Sequence, residues 1–173
     1  MSKHYSAALP ILFVILRLLV FVNLLIGAAL LILLLVMPHA QWIMTSLDLK
    51  PGPEAERIIL SMRIMAVMML ITIPLNHLIL TRLIAIVDTV RQGAPFVREN
   101  ALRLQLIAWI LLALQLLSIV IGAIAYSVST KAHPVDVDAG FSLSGWLGVL
   151  LTFVLARVFA EGSLMREDLD GTV

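Results

Sequence analysis

The chain has 173 residues, 61% of them hydrophobic and 13% charged, with a net charge of +1 and a mean hydropathy of +1.07. Soluble domains are nearer half apolar and a quarter charged, so this composition belongs to an integral membrane protein, read as a single four-span domain over residues 1–173. The near-neutral balance gives no case for direct nucleic-acid binding, and the lack of cysteine excludes disulfides, thiolate catalysis and thiolate metal sites.

The first element follows a short polar start, Met1 to Leu9. Pro10 opens an apolar run to Met37, broken only by Arg17 and Asn23. It is long enough to cross a hydrocarbon core of about 30 Å. The run is too long for a signal peptide, holds Arg17 within it and lacks a small-residue cleavage site, so it is expected to be a retained span. A polar connection with Trp42, suited to the membrane interface, leads to Gly52-Pro53-Glu54-Ala55-Glu56. That stretch starts a helix well, with Pro at its first position and acids at the positive end of its dipole.

The second helix should run from there to about Val90, roughly 57 Å at 1.5 Å per residue. It exceeds the bilayer and must tilt, protrude or both. Pro74 at its middle should kink it by freeing the Leu70 carbonyl. Gly93 is placed to end it in the left-handed conformation, and Pro95 to begin the next helix. The third helix should then reach about Ser127, with Trp109 and Tyr126 near the two interfaces. Its first turns hold Arg98, Glu99, Asn100, Arg103 and Gln105 and are too polar for lipid. They should stand outside the membrane beside Arg82 to Arg91. A second polar connection precedes the fourth helix, which Ser142 or Ser144 should cap. The acids near its end, through Asp170, oppose the dipole and should make that end fray.

The expected fold is therefore all-α: an integral membrane four-helix bundle of two transmembrane hairpins, with helices 2 and 3 extended into a cytoplasmic stalk. The spans are approximately 11–37, 58–84, 105–127 and 142–160. Lys3, Arg17, Arg82, Arg91, Arg98, Arg103, Arg157 and Arg166 fall on one side, against Lys50, Arg57, Arg63 and Lys131 on the other. The positive-inside rule then places both termini and the stalk in the cytoplasm.

Polar groups within spans are candidates for function. Arg17, Asn76, His77 and Arg157 all fall in the cytoplasmic leaflet, with Glu161 placed to pair Arg157 one turn on. They point to a small polar pocket for an ion, proton or lipid headgroup, or simply to snorkelling arginines and interhelical hydrogen bonds. No acid lies deep in a span, which argues against a proton-coupled exporter. His39, His133, Asp136 and Asp138 lie in the outer loops without paired ligand spacing, so no metal is expected. No cofactor is expected either: His77 alone cannot make a bis-histidine haem, and the methionines are packing residues. Gly122-x-x-Ala125 and Gly145-x-x-Gly148 suit close packing of the third helix on the fourth. The stalk offers Arg91, Phe96, Arg98, Asn100 and Arg103, and the C-terminal segment adds Glu161, Asp168 and Asp170. These residues either meet anionic headgroups of the bilayer or form a platform for a cytoplasmic partner.

Two stretches carry a resemblance. Gly93-Ala-Pro-Phe-Val-Arg-Glu-Asn-Ala-Leu-Arg-Leu104 is one; Gly140-Phe-Ser-Leu-Ser-Gly-Trp-Leu147 with Leu155-Ala-Arg-Val-Phe-Ala-Glu-Gly-Ser-Leu-Met-Arg-Glu-Asp-Leu169 is the other. They resemble the bacterial membrane family catalogued as domain of unknown function 2975. The resemblance implies a small four-helix protein of the inner membrane, with no catalytic residues to carry over. Such proteins are often encoded beside a small helix-turn-helix regulator, so it also implies a membrane partner that holds or senses one. The leading expectation is a non-enzymatic regulatory or sensory protein acting through the stalk and tail. The alternatives are a small transporter or permease subunit using the Arg17, Asn76, His77 cluster, and a scaffold subunit of a larger membrane complex.

Overall fold

A computed structural model describes residues 5–36, 52–128 and 141–170. Four α-helices make up the described chain: α1 (Tyr5–Val36), α2 (Pro53–Arg91), α3 (Arg98–Val128) and α4 (Leu143–Asp170). All four are long and apolar enough to cross a membrane, and no strand occurs among the described residues. Only 6% of the best apolar window of α1 is buried, so its leucines and isoleucines face outward. Such a surface is untenable in water and ordinary in lipid. The chain is a multi-pass membrane protein by this criterion.

Each helix packs chiefly on its neighbour in sequence: α1 on α2, α2 on α3, and α3 on α4. Neighbours run antiparallel. Arg57 near the start of α2 donates to the Ser127 carbonyl at the end of α3 (3.2 Å), while Arg103 near the start of α3 donates to Ala85 near the end of α2 (3.3 Å). α1 and α4 do not close the ring, so the expected four-helix bundle is an open row among the described residues. Lipid explains why: tails cover exposed leucine as well as another helix does, so no hydrophobic force draws the outer helices together. What holds the row is close backbone approach. Of the twelve buried apolar residues six are alanines, including Ala66, Ala101, Ala108 and Ala156. Gly27 admits Ile73 of α2, and Gly145 admits the amide of Gln115 on α3. Gly148 faces open space, so only part of the Gly145-x-x-Gly148 patch packs as expected.

Helix boundaries depart from expectation in three places. α1 begins before Pro10 rather than at it, since a proline in the second turn removes just one helical hydrogen bond. α3 begins at Arg98, three residues after Pro95, because side-chain contacts described below hold Pro95 and Phe96 in the turn. α4 stays helical through its acids to Asp170. Their dipole penalty, a few tenths of a kcal/mol each at an exposed end, is too small to unwind it. Other boundaries follow the sequence. α2 starts at Pro53, and α4 is capped by Ser142, whose hydroxyl accepts the Gly145 N–H (3.1 Å). Helical geometry is continuous through Pro74, where Asn23 of α1 donates to the neighbouring Ile73 carbonyl (3.0 Å). The outer-loop candidates His39, His133, Asp136 and Asp138 lie outside the described residues.

Candidate functional site

The turn between α2 and α3 is the most heavily bonded feature among the described residues. Gly93 takes φ +78°, a conformation that costs a side chain but not glycine. Its N–H reaches the Val90 carbonyl (3.1 Å), and the Ala94 N–H reaches Thr89 (3.0 Å). This pair of bonds is the Schellman closure of a helix. On the other side of the turn stands Asn100, which is 0% exposed. Its Nδ2 donates to Thr89 Oγ1 (2.7 Å) and to the Pro95 carbonyl (2.9 Å), and its Oδ1 accepts from Arg103 (2.8 Å). One buried amide thus ties the last turn of α2, the loop and the first turn of α3. A buried polar group so satisfied fixes one geometry, because any alternative leaves it unpaired.

The same turn packs on α4. The Phe96 ring centre lies 5.3 Å from that of Phe159. Gly162 makes room for it: a Cβ there would fall 2.8 Å from Phe96 Cδ1. Ser163 beside it is buried, its hydroxyl turned back to the Ala160 carbonyl (2.8 Å). Further along, Trp109 and Phe153 meet edge to face at 5.2 Å.

Between these aromatic contacts α3 and α4 part to form a half-open groove of about 530 Å³. Ala101, Leu102, Phe153, Ala156 and Leu164 give it an apolar lining, with the polar side chains Arg98 and Gln105 contributed by α3 and Arg157 and Glu167 by α4. Arg157 Nε is paired to Glu161 (2.8 Å), as the i,i+4 spacing predicts, but both side chains are largely exposed. Among the described residues Arg98 and Glu167 have no partner. The groove can hold an elongated apolar group and pair a charge on either helix.

The sequence-predicted residues therefore separate. Phe96 and Arg98 lie at the groove or its end. Asn100 is wholly buried, and half-buried Arg103 donates from Nη1 to Asn100 and to the Ala85 carbonyl, so both brace the turn. Asp168 is exposed on the last turns of α4, and the Asp170 side chain lies outside the described residues. Arg91 turns away from the groove toward α1, where it and Arg17 both lie against the Phe13 ring. Arg17, Asn76, His77 and Arg157 share no hydrogen bond or ion pair with one another. His77 keeps a buried, unpartnered Nδ1. No three potential metal ligands converge among the described residues.

The two stretches that carry the sequence resemblance meet at Phe96, Phe159 and Gly162. A family model described as "Protein of unknown function (DUF2975)" matches residues 50–173. The chain belongs to that family. No curated protein and no solved structure matches it. The matched residues hold α2, the turn, α3, the groove and α4, while α1 lies outside them.

Sequence reasoning missed Thr89, Phe13, Gly162 and the Arg57 cap. Gly162 lies in a small-residue run, Ala160-Glu-Gly-Ser163, that would have signalled a close approach. The others carry no local signal.

Proposed function

We propose that this is a non-enzymatic regulatory protein of the bacterial cytoplasmic membrane that docks an amphipathic helix of a cytoplasmic partner in the α3–α4 groove. The observation that carries this reading is the groove itself: an apolar lining that also holds two opposite charges, Arg98 and Glu167, without partners among the described residues. The α3 wall from Arg98 to Gln105 is too polar for hydrocarbon, so the ends of α2 and α3 reach the polar face of the membrane, where the groove opens to water. An apolar groove open to water is a recognition surface, and its volume lies in the ordinary range for ligand sites. A helix laid in it places an acid against Arg98 and a base against Glu167. The excess of arginine at this end supports a cytoplasmic location, with both termini inside. A small helix-turn-helix regulator is the partner class that the family resemblance brings forward. The buried amide of Asn100 and the Phe96–Phe159 contact preorganise the groove, which lowers the ordering cost of binding.

The test is co-purification of the partner from membranes carrying Arg98→Glu or Glu167→Lys. Each should lose it, whereas Arg82→Glu, an equal charge change on exposed α2 surface, should keep it. Retention by both groove variants would contradict the reading. The unpartnered Nδ1 of His77 favours a second reading, transport through the spans. It requires that His77→Ala abolish a transport phenotype that the groove variants leave intact.

A further inference from the structure

Phe13 of α1 carries two cations. The guanidinium carbon of Arg17, one turn further along the same helix, lies 4.5 Å from the ring centre. That of Arg91, in the last turn of α2, lies 5.3 Å from it. Among the described residues neither arginine has a carboxylate or hydrogen-bond partner. Each guanidinium therefore keeps five N–H donors, and two like charges share one ring. Two such forks on one ring suit an anion.

Depth and surroundings say which anion. Arg17 lies about two turns inside the apolar stretch Leu9–Val36, and Arg91 ends the stretch Ala55–Arg91. Both guanidinium groups meet at the Phe13 ring, near the end of the apolar stretches where α1 begins and α2 ends, within a long side chain's reach of lipid phosphates. Next to it on α1, Ile11, Val14 and Leu18 are 59%, 65% and 59% exposed, an apolar surface for an acyl chain that a free ion would leave uncovered. Guanidinium forks match phosphate oxygens two by two, and the aromatic ring holds the forks in place. We propose that Phe13, Arg17 and Arg91 form a binding site for the phosphate of an anionic phospholipid. The site joins α1 to the family-matched part of the chain and is independent of the groove.

The experiment is native mass spectrometry of the detergent-solubilised full chain with phosphatidylglycerol, phosphatidylcholine or inorganic phosphate. Phosphatidylglycerol should be retained over phosphatidylcholine. Arg17→Gln and Arg91→Gln should each weaken it by about tenfold, as loss of one charge-assisted fork demands. Arg82→Gln removes the same charge from exposed α2 surface and should change nothing. Arg17→Lys and Arg91→Lys keep the charge without the fork; they should lose affinity at unchanged helicity, which separates recognition from misfolding. Equal loss in Arg82→Gln, or full retention in all four Arg17 and Arg91 variants, would overturn the site. Binding of inorganic phosphate without preference for the anionic lipid would overturn the lipid assignment.

Discussion

Asn100 Nδ2 donates to Thr89 Oγ1 at 2.7 Å, and this bond joins the first turn of α3 to the last turn of α2. Eleven positions separate the two in sequence, and the Gly93 turn lies between them. Asn100→Ala removes three side-chain hydrogen bonds at a wholly buried position. It should cost about 2–3 kcal/mol, near 1 kcal/mol per bond. Thr89→Val removes one and should cost about 1 kcal/mol. Unfolding free energies from SDS titration in mixed micelles check both; a loss below about 0.5 kcal/mol for Asn100→Ala would mean that the turn is held by other contacts.

Gly162 and Phe96 should be coupled. Gly162→Ala places a methyl in contact with the Phe96 ring, which must move away from Phe159. The expected loss is about 1 kcal/mol, the low end for overpacking, because Phe96 is partly exposed and can yield. In the double variant with Phe96→Leu the Gly162→Ala cost should fall by at least about 0.5 kcal/mol, measured as a double-mutant cycle. Strict additivity would show that the two do not touch.

How much of this was legible follows from range. Helix existence, the Gly93 stop, the Ser142 cap and the Arg157–Glu161 pair each depend on residues within four or five positions, and the sequence displays them directly. Asn100 shows in the sequence as a polar residue at the head of α3, which reads as surface. Its burial depends on how α3 sits against α2, which no local pattern encodes. The bonds of Arg103 are hidden for the same reason, since its partners Asn100 and Ala85 become neighbours only once the helices pair. Phe13 gave no signal because one phenylalanine in an apolar run is ordinary; it acquires meaning when Arg91 arrives from another helix. The open row of helices leaves no mark on the sequence, because lipid-facing and helix-facing leucines look alike there.

Asn23, buried within α1, donates to the Ile73 carbonyl. Asn23→Leu should weaken the α1–α2 contact by about 0.6–1.7 kcal/mol, the range for hydrogen bonds between membrane helices. The same SDS titration reads it. Glu161→Gln, by contrast, breaks an exposed pair and should change stability by less than about 0.5 kcal/mol.

The chain has no cysteine, so a single introduced thiol reports its own side of the membrane. Gln92→Cys places one on the exposed turn. A membrane-impermeant maleimide should leave it unlabelled in intact cells and label it after permeabilisation. Labelling in intact cells would put the turn and the groove on the outer side and end the cytoplasmic docking proposal.

The docking proposal is tested most directly by photocrosslinking from a photoreactive residue in place of Leu102, an exposed residue that lines the groove. In intact membranes it should trap one soluble protein, and Arg98→Glu should abolish the adduct. The same probe at Leu151, exposed on the lipid-facing part of α4, should trap lipid alone. Lipid or another membrane protein trapped at Leu102, or an adduct insensitive to Arg98→Glu, would contradict docking of a cytoplasmic partner in the groove.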